Sequence, residues 1–200
     1  MEINLNDVTL YYRIEGFGDP ALVMHGGLGA DHTTFLNSGF NKLSNQLEQT
    51  YYDHRCNGRS SFPEIETLTH ENLAADAENL RIALDHKNLT VIGHSYGGIT
   101  GMEYALRYPE NLRRLILITT TPSGTGLGEA RKIAETRAPH LMDAVDKMLG
   151  GNCATDDEFI ELLTILAPLY FKDFHLFEDE FSEVAKDMVP NAAAFRHSFS

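Results

Sequence analysis

Apolar and polar positions along this 200-residue chain follow two different rhythms. Over the first 121 residues, short apolar runs alternate with stretches of helical period. Val8 to Ile14 reads as a strand ended by Gly16, Gly18 and Pro20. Ala21 to Met24 reads as a short buried strand running straight into His25-Gly26-Gly27. Leu47 to Tyr52, Leu89 to Ile92 and Leu112 to Ile118 are further strands. Between them, helices are expected over Thr34 to Gln46, Thr69 to Leu84 and Tyr96 to Tyr108. Thr69 can cap the second, whose Leu73, Ala77, Leu80 and Leu84 recur at helical steps on one face. The third carries Ile99, Met102 and Leu106 on one side and stops at Pro109. The count before the tail is six strands, five of which these runs place. Strands that alternate with helices imply an α/β fold, a mostly parallel sheet with helices on both faces.

After Thr121-Pro122-Ser123-Gly124 the rhythm changes. Residues 122–200 contain no convincing strand and read as helices near 129–149, 156–169 and 178–188, with a short one toward 191–197. This tail holds 7 basic and 14 acidic residues, against 9 and 15 in the first 121. An α/β core over 1–121 is therefore expected, followed by a more acidic helical segment over 122–200. No repeat or low-complexity tract interrupts either.

Composition narrows the function classes. Apolar residues make up 42% and charged residues 22%, which places the chain among globular proteins and not disordered ones. The net charge of −13 and the lack of a basic stripe exclude phosphate-neutralising nucleic-acid binding and disfavour an anionic membrane surface. Met-Glu-Ile-Asn-Leu-Asn carries no positive leader and no apolar core of a signal peptide, and no apolar run approaches the ~20 residues of a membrane span. A cytoplasmic protein is expected. Cys56 and Cys153 fit no zinc spacing and read as two free thiols, a single bridge being the alternative. The nine histidines show no ligand spacing, so neither a metal nor any other cofactor is expected.

The strongest chemical signal is Gly93-His94-Ser95-Tyr96-Gly97, with Gly98 after it. A strand runs in and a helix runs out. Such a turn strains the serine backbone, and small residues two before and two after let strand and helix approach. It lifts the hydroxyl clear of the sheet and sets Ser95 at a helix N-terminus, where amide groups and the dipole favour developing negative charge. His25-Gly26-Gly27-Leu28-Gly29 follows an earlier strand. The amide of Gly27, together with that of Tyr96, would form an oxyanion hole. A phosphate loop is the rival reading, but the spacing fits neither G-x-G-x-x-G nor a P-loop. His25 reads as a structural hydrogen-bonder. Asp53-His54-Arg55-Cys56-Asn57-Gly58-Arg59-Ser60 reads as a structural hydrogen-bonded turn at the sheet edge.

Taken in order, these three motifs resemble the α/β-hydrolase superfamily, and within it the proline iminopeptidase-like and esterase branch. The likeness covers about residues 3–121, and the helical tail sits where that superfamily often inserts a cap. Several positions depart from the iminopeptidase pattern, the residues flanking the serine among them. Leu28 stands where a proline is usual, and Cys56 where a glycine is usual. The resemblance implies a cofactor-free serine hydrolase acting through an acyl-enzyme at Ser95 on a small ester, lactone or amide, or on a short peptide. It implies a triad in the order serine, acid, histidine. Cap acids such as Asp156, Asp157, Glu158, Glu178, Asp179 and Glu180 would then be a solvated face or would hold a cationic substrate group. The serine also argues against dehalogenase or epoxide-hydrolase chemistry, which resembles this fold but uses Asp at the elbow.

The acid and base are not evident. Ile118 to Pro122 offers no carboxylate, His140, His175 and His197 lie in helical context, and His94 should point away from its neighbour Ser95. The fold usually has about eight strands, so the sheet is expected to be incomplete, with acid and base beyond Ser200. Three explanations stand: a fragment of a longer enzyme, a natural split or degraded hydrolase, or a second copy completing the sheet. An uncovered sheet edge would favour a homo-oligomer or poor stability. A non-catalytic ligand- or partner-binding module with an idle Ser95 is the alternative function.

Overall fold

A computed structural model describes residues 1–36 and 39–199 of the chain. Six strands form one sheet: β1 (Glu2–Leu5), β2 (Val8–Glu15), β3 (Asp19–Met24), β4 (Leu47–Tyr52), β5 (Leu89–His94) and β6 (Leu112–Ile118). Their order is β1-β2-β4-β3-β5-β6. The first two pairings, β1 with β2 and β2 with β4, are antiparallel. The others are parallel. The strand that the apolar runs left unplaced is β1.

Two helices pack against this sheet. Helix α1 (His70–Ala83) starts where Thr69 accepts a hydrogen bond from the Asn72 amide, and buries Leu73, Ala77 and Leu80 as the spacing required. Helix α2 (Tyr96–Arg107) differs from expectation in its buried face. Gly97, Gly98, Thr100, Gly101 and Tyr104 face inward, while Leu106 is 80% exposed. The small residues win that face because the helix lies too close to β3 and β5 for larger ones. The main core gathers Leu10, Leu22, Met24, Val91, Ala77, Leu80 and Tyr104 between the sheet and these helices.

The helix expected over 34–46 is not formed among the described residues. Two 3-10 turns, His32–Phe35 and Phe40–Leu43, stand there instead. Leu36 is extended and Gly39 has φ +81°, which ends any α-helical path. Asn37 and Ser38 lie outside the described residues.

The tail is helical as expected: α3 (Leu127–Arg137), α4 (Met142–Leu149), α5 (Asp156–Tyr170), α6 (Glu178–Asp187) and α7 (Ala192–His197). The single helix expected over 129–149 is two, because Pro139 excludes Ala138 from helical geometry and leaves it at φ −148°, ψ 66°. Val145, Met148, Phe159, Leu162, Leu166 and Phe195 form a second core that reaches Ala30 of the sheet half.

β6 is the last strand of the sheet, and its Ile116 and Leu117 remain 41% and 43% exposed. Parallel strands are ordinarily covered on both faces. No helix among the described residues is long and apolar enough to cross a membrane. Both cysteines are buried free thiols.

Candidate active site

Ser95 sits between the end of β5 and the first residue of α2 at φ 51°, ψ −118°. A non-glycine residue enters this region only where its surroundings impose it. Here the Ser95 N–H donates to the Ile118 carbonyl at 3.0 Å. The Ser95 carbonyl accepts from the Gly98 N–H at 2.9 Å and from the Thr120 hydroxyl at 2.6 Å. The glycine spacing is a steric demand. A β-carbon on Gly93 would collide with the Gly97 carbonyl and Gly98, and one on Gly97 would run into the carbonyls of Met24 and His25. One on Gly26 would meet the Ser95 β-carbon at 2.8 Å. The half-buried Ser95 hydroxyl hydrogen-bonds none of the described residues.

Tyr96 opens α2, so its amide is one of the N-terminal groups without an intrahelical acceptor. Its hydroxyl hydrogen-bonds His70 Nε2 at 2.8 Å. Burial pushes that phenol up to about 12. Its ring packs with the cluster of Leu28, Leu68, Leu73 and Ala194. The His94 ring lies 5.9 Å edge-on from Phe35, and burial lowers its pKa.

The loop after β3 carries Gly27 at φ +64°, with open space where a β-carbon would point. Gly29, at φ +98°, lies against Phe195 and Asn191 of the tail. Its N–H donates to Asn57 Oδ1 at 2.6 Å, and its carbonyl accepts from the Asn191 N–H at 2.8 Å. His25 is fully buried, and its Nε2 accepts the His54 N–H at 3.1 Å. Desolvation holds His25 below the usual histidine range, against the opposing pull of Asp53 and Asp31. It is a pillar of the loop, in keeping with its sequence.

The arginine turn is not at the sheet edge. It leaves β4, which lies between β2 and β3, and Asp53 through Asn57 are all buried. Central-strand position explains its density of internal hydrogen bonds, since buried polar groups must find partners. Arg55 binds Asp76 through Nε and Nη2, both at 2.7 Å. Asp53 Oδ1 accepts from the His32 N–H at 2.9 Å and His32 Nδ1 at 2.6 Å, and Oδ2 accepts the Arg59 N–H at 2.8 Å. Burial pulls the Asp53 carboxyl up, but the hydrogen bonds from His32 and the Arg59 amide outweigh it and leave it below its ordinary value. Asp31, His32 and Asp53 bring potential metal-ligand atoms within 4.8 Å of one another. The carboxylate oxygens there already accept protein donors, so the cluster is satisfied by the fold itself.

The remaining candidates scatter. His140 and His175 sit in exposed 3-10 turns and His197 ends α7. Asp156, Asp157 and Glu158 occupy the first turn of α5, and Glu178, Asp179 and Glu180 that of α6. Negative charge at helix N-termini is favoured by the dipole. Asp156 also accepts the Ala192 N–H at 2.7 Å, tying α5 to α7. Sequence reasoning missed Thr120, His70 and the contacts of Asp31 and Arg59. Only Asp31, at the start of a turn, carried a local signal as a capping residue.

A model of the alpha/beta hydrolase fold family matches residues 20–147. The proline iminopeptidase PfmaB of Pestalotiopsis fici is 29% identical over 180 residues, covering 86% of this chain and 63% of its own length. A proline iminopeptidase of Lactiplantibacillus plantarum is 30% identical over 180 residues, covering 85% and 60%. This chain therefore spans somewhat under two thirds of the length of these relatives. The crystal structure of a proline iminopeptidase-related protein from Thermus thermophilus superposes with a TM-score of 0.71 at 20% identity, over 98% of this chain and 69% of that one. An enol-lactonase from Burkholderia xenovorans superposes at 0.67 with 22% identity, over 100% and 72%. With strand order, elbow and family match in agreement, the chain belongs to the alpha/beta hydrolase family, on its proline iminopeptidase-like branch.

Proposed function

We propose that Ser95 is the nucleophile of a cofactor-free hydrolase that cleaves a small carboxylic ester, lactone or amide. The observation that carries this reading is the Ser95 backbone at φ 51°, ψ −118°, with its hydroxyl at the head of α2 and hydrogen-bonded to none of the described residues. In the reaction, Ser95 Oγ bonds to the substrate carbonyl carbon and its proton passes to a general base. The Gly27 and Tyr96 N–H groups stabilise the oxyanion that forms. Collapse of that intermediate expels the alcohol or amine, protonated by the same base, and water then hydrolyses the acyl-enzyme. We place the base and acid in the part of the relatives' length that this chain does not span. The tail over 122–200 acts as a cap that shapes the acyl and leaving-group sites, and the site's substrate is a small molecule and not a nucleic acid or membrane.

Relatives named as proline iminopeptidases support a peptide with an N-terminal proline. Leu28 and Cys56 replace residues usual in that pattern, and we favour an ester. A fluorophosphonate probe tests the nucleophile. The expected result is labelling of a folded form with the relatives' length, lost in Ser95→Ala. An intact fold that does not label makes the protein a ligand-binding module with an idle serine. The 200-residue chain alone is expected to turn over p-nitrophenyl esters weakly or not at all.

A further inference from the structure

Asp31 is a completely buried carboxylate whose four hydrogen bonds come from three separate parts of the chain. Oδ1 accepts from the Thr33 N–H at 2.9 Å and from the Thr33 hydroxyl. Oδ2 accepts from Arg59 Nη1 at 2.6 Å and from the Val189 N–H at 2.9 Å. Arg59 in turn donates from Nη2 to the Asp187 carbonyl at 2.9 Å, 128 positions along the chain. The core end of this arginine is fixed twice, by its own N–H on Asp53 Oδ2 and by the face of Tyr11, 5.6 Å from the guanidinium carbon. Two residues further along the tail, the Asn191 N–H binds the Gly29 carbonyl. One continuous segment, 187–191, is thus fastened to the core by an arginine fork, a buried carboxylate and a loop carbonyl. The loop it rests on is the one that carries Gly27.

We propose that Asp31 and Arg59 are positioning residues that clasp segment 187–191 of the tail and thereby hold the 25–30 loop in place beside Ser95. A guanidinium suits this task because its planar fork reaches Asp31 and the Asp187 carbonyl at once, which a lysine ammonium cannot do with the same geometry. A carboxylate suits it because it accepts the Arg59 cation and the Val189 amide on one oxygen, while its other oxygen stays on the Thr33 turn. The clasp rests on the hydrolase reading only for its consequence in catalysis. Its mechanical role stands on the contacts alone.

Hydrogen–deuterium exchange on the 200-residue chain tests it. In Arg59→Lys and Asp31→Asn, amides of 187–191 are expected to exchange at least tenfold faster than in the unmodified chain, with β5 and α1 unchanged. Asp187→Ala keeps the backbone acceptor and is expected to exchange like the unmodified chain. Unchanged protection at 187–191 in both clasp variants overturns the proposal. So does an equal loss of protection across 187–191, β5 and α1, which marks a merely structural pair. Ser95→Ala, run alongside, leaves the pattern intact whether or not Ser95 is a nucleophile, so this test and the labelling test fail independently.

Discussion

Thr120 donates its hydroxyl to the carbonyl of Ser95 at 2.6 Å, so the residue just past β6 secures the turn at the end of β5. Its neighbour Thr119 has φ 42°, and the Ile118 carbonyl receives the Ser95 N–H. Ser95 and Thr119, each at positive φ just past the end of adjacent strands, are thus joined through the residues on either side of Thr119. Thr120→Val removes the donor at nearly constant volume and leaves the Ser95 carbonyl with only the Gly98 N–H. The expected cost is about 1 kcal/mol of folding stability, the net worth of one such bond. Urea denaturation measures it, and local exchange at Ser95 to Gly98 should rise in the variant. A stability equal to that of the unmodified chain would show that the hydroxyl does not secure the turn.

The glycines divide by what a methyl group would meet. Gly97→Ala drives a β-carbon into the carbonyls of Met24 and His25, and backbone cannot swing aside as a side chain can. A loss of at least about 2 kcal/mol is expected, at the upper part of the range for overpacking. Gly128 lies exposed inside α3, with nothing within 4 Å of the added carbon. There Gly128→Ala should stabilise by roughly 0.5–1 kcal/mol, through helix propensity and the unfolded chain's lost freedom. Thermal melts of the two variants should move in opposite directions.

The same contrast explains what the sequence disclosed. The elbow was legible because its requirement is local: glycines at fixed offsets from a serine, a strand before and a helix after. The Thr69 cap and the Leu73–Ala77–Leu80 face were legible for the same reason. The segment around Leu36 and Gly39 departs from the expected helix where Leu36 is extended and Gly39 takes a positive φ. The Arg59 contact with Asp187 spans 128 positions and has no periodicity to betray it. Thr120 carries no local signal, because its hydroxyl serves the elbow through a backbone carbonyl 25 positions away in the chain.

His25 and His54 make stability depend on pH. Both are fully buried, with ring centroids 4.2 Å apart. Desolvation holds each below its ordinary value of 6.5, so the folded protein keeps them neutral. The unfolded chain binds protons at these sites near pH 6.5, and below that pH it binds more than the folded state does. Stability contributed by a lowered histidine is therefore complete above about pH 6.5 and falls as pH drops. Asp53, held below 3.8, acts in a lower window, where its protonation removes the stability its hydrogen bonds supply. Urea midpoints should stay level from about pH 7.5 to about 6.5 and decline from there to about 5.5. A flat profile over that range would mean that these rings are protonated in the fold or reach solvent.

The exposed side of β6 predicts self-association of the 200-residue chain. β6 ends the sheet, its outer backbone groups have no strand beside them among the described residues, and Ile116 and Leu117 project to opposite faces at 41% and 43% exposure. An unblocked apolar edge templates pairing with another chain. Leu106, 80% exposed on neighbouring α2, enlarges the apolar surface. Sedimentation at micromolar concentration should therefore show dimers or larger species. Leu117→Lys, placing a charge on the edge as natural edge strands do, should shift the distribution toward monomer without lowering the melting temperature. Lysine at Leu106, away from the strand edge, should act more weakly. This order of effects separates strand pairing from general stickiness, since stickiness would respond most to the more exposed Leu106. A chain that sediments as a monomer and melts in one cooperative transition would show that β6 is stable as an open edge.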